Sequence, residues 1–108
     1  MAGFDDREKA EEAKYAHDEA LKFRIEARRN KLLGLWAAGL LGKTDDADVN
    51  AYVTEVVASD FEEAGDEDVY RKVSGDFKAA GVNVSEADLR DKMRTLYVKA
   101  EMQVKEAL

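Results

Sequence analysis

The stretch DEDVYRKVSGDFKAAGVNVSEADL, Asp66 to Leu89, decides the fold. It opens on consecutive acids, which favour a helix N-terminus through the helix dipole. Val69, Val73 and Phe77 then recur every four residues, the spacing of one helical face. Gly81 follows, where glycine closes a helix by adopting a left-handed backbone. Ser85-Glu86-Ala87-Asp88 restarts the chain with a capping oxygen and acids. Leu89, Met93, Leu96, Ala100 and Val104 carry the next stripe. One helix, a short stop and another helix are therefore written into this stretch.

Working outward, Gly42 and Gly65 punctuate the chain in the same manner as Gly81. They divide it into segments running from about Asp5 to Leu41, Asp45 to Ala64, Asp66 to Ala80 and Ser85 to Ala107. Thr44-Asp45-Asp46 supplies a cap for the second. Val49, Tyr52, Val53, Val56, Val57 and Phe61 form its apolar stripe, and Leu32, Leu33, Trp36, Leu40 and Leu41 cluster at the end of the first. In Leu33-Gly34-Leu35-Trp36-Ala37-Ala38-Gly39-Leu40 the small residues allow close helix approach, with core packing around Trp36. Connections this short place neighbouring helices side by side. The expectation is an all-α protein: a compact four-helix bundle with a long first helix.

Composition agrees. The chain has 108 residues, 45 % hydrophobic and 38 % charged, with no proline and no cysteine. That length suits one domain with a modest core. Absent cysteine excludes a disulfide framework and thiolate chemistry. The charged N-terminus is unlike a signal peptide, and the ten-residue apolar run Leu32–Leu41 is too short to cross a bilayer. A soluble, cytoplasmic protein is expected.

The formal net charge of −7 is unevenly placed. Residues 1–41 hold eight acids and eight bases, whereas residues 42–108 hold sixteen and nine. Thr44 to Asp68 contains ten acids and no lysine or arginine. Such a surface repels phosphate backbones and anionic lipid, which argues against nucleic-acid or membrane-surface binding and leaves a basic protein partner open. Arg24, Arg28, Arg29 and Lys31 form a basic patch late in the first helix. It reads either as solvation with pairing to the acidic second helix or as a docking contact, with Arg24, Arg28 and Arg29 as its candidates.

No motif here carries catalysis. His17 is the single histidine, so no metal site is expected, since such sites need several ligands. Ser59, Ser74 and Ser85 have no recognisable partner base. The acids of Asp60–Asp68 fail the calcium-loop pattern, lacking its glycine and terminal glutamate. They read as an acidic helix end, a glycine stop and an acid-rich helix start. An acid–base enzyme built on them lacks any pocket-forming pattern. The glycines also lack the strand–loop–helix context of a phosphate-cradling loop.

Before Asp18 the first segment changes character. Nine of the fourteen residues Asp5–Asp18 are charged, and Phe4 and Tyr15 stand without a continuous apolar stripe. Isolated helices of this length are marginal in water. Residues 1–18 are therefore expected to form a mobile or partly helical arm in the free protein, and residues 19–108 the bundle.

These residues resemble the zeta subunit, the ATPase inhibitor of alphaproteobacterial F-type ATP synthases. The resemblance rests on Phe4-Asp5-Asp6-Arg7, on Glu12-Ala13-Lys14-Tyr15-Ala16-His17-Asp18, and on Glu26-Ala27-Arg28-Arg29-Asn30-Lys31-Leu32-Leu33-Gly34-Leu35-Trp36-Ala37-Ala38. It continues through Asp60-Phe61-Glu62-Glu63 and Gly65-Asp66-Glu67-Asp68-Val69-Tyr70-Arg71-Lys72-Val73. Tyr15 and Tyr70 stand where the family more often has phenylalanine, which keeps the ring. Beyond Phe77 the similarity is to a helical pattern only.

The resemblance implies a four-helix fold, no catalytic activity and an inhibitory N-terminal segment. That segment would insert between catalytic and non-catalytic subunits of the synthase head, near the central shaft. It would block rotation in the hydrolytic direction and affect synthesis far less. Carried onto this chain, the segment is Ala2 to Asp18, with Phe4, Asp5, Asp6, Arg7, Lys14, Tyr15 and His17 as expected contacts. The bundle would anchor outside the head, making the protein peripheral to the inner membrane. No cofactor is expected. Two alternatives stand beside this reading: a helical adaptor for another complex, and a sensor that binds adenine nucleotides weakly, as some family members do.

Overall fold

The computed structural model describes the backbone of residues 2–60 and 66–108 and the side chains of residues 18–60 and 66–108. It contains α1 (Ala2–Leu40), α2 (Asp46–Ala58), α3 (Glu67–Ala79) and α4 (Glu86–Glu106). The protein is an all-α four-helix bundle with a long first helix.

The glycine stops act as their positions require. Gly42 has φ +78° and Gly81 φ +71°, a region that side-chain-bearing residues rarely adopt. Beyond each, an amide reaches back to an orphan carbonyl: Lys43 N to Ala38 O at 3.0 Å, and Val82 N to Phe77 O at 2.8 Å. Val82 packs against the core, the apolar contact that accompanies this helix ending. Gly65 lies outside the described residues.

Helix starts differ in mechanism. Ser85 caps α4, its hydroxyl accepting from the Asp88 amide at 3.1 Å. Asp45 and Asp66 make no such side-chain bond. There the first-turn acids Asp46, Asp48, Glu67 and Asp68 act through the positive end of the helix instead. α2 closes at Ala58, earlier than expected. The Ser59 hydroxyl donates to Val56 O at 2.6 Å, drawing a helix carbonyl to a local side-chain bond. Phe61, the expected end of the α2 stripe, lies outside the described residues.

The stripes of α3 and α4 are buried at every position the spacing marks: Val69, Val73 and Phe77, then Leu89, Met93, Leu96, Ala100 and Val104. Those from Val69 to Leu96 join Leu33, Ala37, Ala38, Tyr52 and Val56 in one core. Ile25, Ala100 and Val104 make a smaller one, so α4 runs antiparallel to α1. The end of α1 departs from expectation. Leu40 is 44 % exposed, and Trp36 is partly buried. Its ring meets Phe77 edge-to-face at 5.7 Å and 85°, while the Lys92 ammonium lies 5.4 Å from its centroid. Trp36 therefore roofs the core, and Phe77 fills it.

α1 and α2 approach closely at Gly34, where an added Cβ would stand 3.0 Å from Val53 Cα. Backbone cannot rotate aside as a side-chain tip can. Gly34→Ala is thus expected to force the two helices apart and destabilise by about 1–3 kcal/mol, despite the better helix propensity of alanine. Urea denaturation measures it, and Gly39→Ala, with no atom within 4 Å of the added Cβ, is the control.

Candidate partner-binding surface

The side chains of Phe4, Asp5, Asp6, Arg7, Lys14, Tyr15 and His17 lie outside the described residues. The described packing of α1 on the bundle begins with Leu21 and Ile25. From there the helix carries the three candidate docking arginines, and the structure separates them.

Arg24 and Arg28 are exposed. Arg29 is only 4 % exposed, because it falls four residues after Ile25 and three before Leu32, on the inward helical face. Its Nε donates to Asn30 Oδ1 at 2.7 Å, its Nη1 lies 3.7 Å from Asp66 Oδ2, and its guanidinium sits 5.9 Å from the Tyr97 ring centroid. Asn30 in turn donates to Asp60 Oδ2 at 3.0 Å. Arg29 and Asn30 thus tie both Asp60 and Asp66 to α1. A buried guanidinium needs such partners, and this one finds them within the chain.

The sequence reading allowed pairing of these cations with the acidic second helix but did not identify Asn30, Asp60 and Asp66 as members of one network. Its signal was present, since two polar residues interrupt positions spaced for the core between Ile25 and Leu33.

The acids of Asp60–Asp68 are spent similarly. Asp60 and Asp66 face Asn30 and Arg29, Glu67 pairs with Arg90 at 3.0 Å, and Asp68 with Arg71 at 3.8 Å. Glu62 and Glu63 lie outside the described residues. Among the described residues no three His, Asp or Glu side chains are grouped to hold a metal ion. A cleft of about 360 Å³ holds Arg29, Arg90 and Arg94, yet Glu26 and Asp66 line it too, and Arg94 pairs with Asp91 at 3.2 Å. Its cations are already balanced within the chain.

A second polar cluster joins α2 to α3. The Tyr52 hydroxyl donates to Asp76 Oδ2 at 2.8 Å, and the Lys72 ammonium bridges Asp76 at 3.0 Å and Glu55 at 3.7 Å. Burial, the hydrogen bond to Asp76 and the nearby carboxylates push the Tyr52 hydroxyl above the ordinary tyrosine range. The unfolded chain therefore releases this proton first. The associated stability is complete below pH of about 10 and is lost as pH rises above it. Tyr52→Phe is expected to destabilise by about 1 kcal/mol at neutral pH and to flatten part of the alkaline decline. Denaturation midpoints between pH of about 8 and 11 check both.

No helix among the described residues is long and apolar enough to cross a membrane. The family model for the ATPase inhibitor subunit zeta matches residues 1–103. No curated protein matches. Among solved structures, the chain is similar to a protein solved by solution NMR, with 50 % identity and a TM-score of 0.70 over 82 % of this chain and 99 % of that one.

Proposed function

The chain belongs to the ATPase inhibitor subunit zeta family, and from that premise we propose that it stops ATP hydrolysis by inserting residues 1–18 at a catalytic subunit interface of the synthase head. The observation that carries this reading is the division of α1. One helix spans Ala2–Leu40; from Leu21 onward it packs on the bundle, whereas the sequence of residues 5–18 is charged and lacks an apolar stripe. Residues 2–18 form a rod of about 25 Å at 1.5 Å per residue, long enough to pass from the surface of a head into a cleft between subunits.

In this reading Phe4 and Tyr15 are the apolar anchors, as aromatic residues commonly are in desolvated interfaces. Arg7, Lys14, Asp5 and Asp6 pair with charges of the cleft, and His17 completes the contact. Charge-assisted hydrogen bonds fix the register of such a helix. Catalytic, non-catalytic and central-shaft subunits meet at that site, so a helix lodged there opposes rotation in the hydrolytic direction. The bundle stays outside as the anchor, with Arg24 and Arg28 as docking contacts, and holds the protein at the membrane periphery through the synthase.

The test is a comparison of both directions of the enzyme. Full-length protein added to inverted membrane vesicles carrying the cognate synthase is expected to suppress ATP hydrolysis while proton-driven synthesis largely persists. Equal suppression of both directions would refute a one-way stop, and unaffected hydrolysis would refute inhibition at this site.

A further inference from the structure

We propose that the groove between α1 and α2 seats an acidic amphipathic helix of the partner, with Lys31 on its wall and Arg24 and Arg28 beside it on the same helix. The groove has a volume of about 470 Å³ and is lined by Ala27, Lys31, Val53, Thr54, Val57 and Ala58. Apart from the tips of Lys31 and Thr54 this lining is hydrocarbon. It is straight, because two helices form its walls, and a third helix is the element whose side chains fill such a trough.

The charges select the occupant. Arg24, Arg28 and Lys31 are exposed and, among the described residues, pair with no carboxylate. Among the described residues other lysines are also without an ion pair, Lys22, Lys43, Lys78, Lys92 and Lys99 among them, but Arg24, Arg28 and Lys31 stand together on one face of α1. Their spacing of i, i+4 and i+7 sets one cation per turn over about 10.5 Å of α1. Glu26 stands apart, in the cleft on the α4 side. Lys31 belongs to the groove and also, with Arg24 and Arg28, to a neighbouring cleft beside Val104 and Ala107. The cations therefore stand on a ridge between two depressions. The complementary surface is a helix with apolar residues at i, i+3 and i+7 and acids at one-turn intervals on one flank.

That this helix belongs to the synthase head rests on the proposed function, but the surface chemistry does not. The experiment therefore has two arms. In the first, the isotope-labelled full chain is titrated with a synthetic helical peptide carrying leucine on one face and glutamate on one flank. Chemical-shift changes are expected at Ala27, Lys31, Val53, Thr54, Val57 and Ala58, with affinity falling as salt rises. Arg28→Glu with Lys31→Glu, in protein of unchanged melting temperature, is expected to weaken binding at least about tenfold. A peptide with lysine in place of glutamate is expected not to bind.

Equal affinity for either peptide, shifts confined to the Arg29–Tyr97 cleft, or no binding would overturn the proposal. So would groove shifts that grow with protein concentration alone, which would assign the groove to a second copy. In the second arm, the same double variant is assayed against the synthase head. It is expected to need at least about tenfold more protein for half-inhibition, with unchanged inhibition at saturation. Wild-type protein that fails to inhibit the head would refute the proposed function, while the peptide arm decides the groove.

Discussion

Removing residues 1–18 is expected to abolish inhibition of ATP hydrolysis while leaving the melting transition of the bundle in place. The shortened chain loses Phe4 and Tyr15, the two aromatic residues proposed as anchors, together with Arg7 and Lys14. Interface hot spots contribute about 2 kcal/mol or more each, and each 1.4 kcal/mol is about tenfold in affinity. Two such anchors therefore correspond to a loss of about 10³-fold, beyond the range in which excess protein restores the effect. The cost to the body is small, because Ile25, Leu33 and the buried residues of α2, α3 and α4 all remain. Hydrolysis assays beside circular-dichroism melts separate the two quantities. Phe4→Ala and Tyr15→Ala give the graded version. Parallel loss of thermal stability and inhibition would mean that arm and body are one unit.

Phe77→Ala is expected to be the most damaging single truncation in the core. Phe77 is 2 % exposed and belongs to the main core, together with Leu33, Val73 and Leu89. Truncating a buried phenylalanine removes its transfer energy and leaves a cavity, about 3–5 kcal/mol in total. Domains of this size hold about 5–15 kcal/mol, so much of the stability goes. At about 4–8 °C per kcal/mol, the melting temperature falls by about 12–40 °C. Trp36→Ala, although it removes a larger ring, is expected to destabilise by about 1–3 kcal/mol. Its ring is partly in water and loses mainly the edge contact with Phe77 and the nearby Lys92. Calorimetry of the two variants reads the order directly. Trp36→Ala as the more destabilising would mean that the tryptophan is the centre of the core.

That pair shows where sequence reading reaches and where it stops. Val69, Val73 and Phe77 were legible because their spacing, acids before and glycine after all point to one helix. The same agreement marked Gly42, Gly81 and the cap at Ser85. Trp36 misled, because size and hydrophobicity describe what a residue gains from burial, whereas exposure depends on which element crosses above it. Arg29 left two readings open, pairing within the chain or docking. Charge suggests solvent, and only the helical phase shared with Ile25 and Leu32 shows that its stem and head turn inward. The family of the inhibitory chain was legible in ordered blocks of sequence. The contacts of its arm depend on a partner that supplies the other half of the chemistry, and no pattern within one chain contains that half.

The double tie from Arg29 and Asn30 to Asp66 and Asp60 has a consequence for how this protein tolerates changes in length. The ends of the connection between α2 and α3 are fastened to adjacent residues of α1, so its span is set from outside. Extra residues placed between Asp60 and Asp66 lengthen a loop whose ends stay fastened, and such lengthening costs about 0.6 kcal/mol of closure entropy for each doubling. A glycine–serine insert there is expected to lower the melting temperature by only a few degrees, at about 4–8 °C per kcal/mol. The same insert in protein carrying Asn30→Ala, where one fastening is gone, is expected to lower it further.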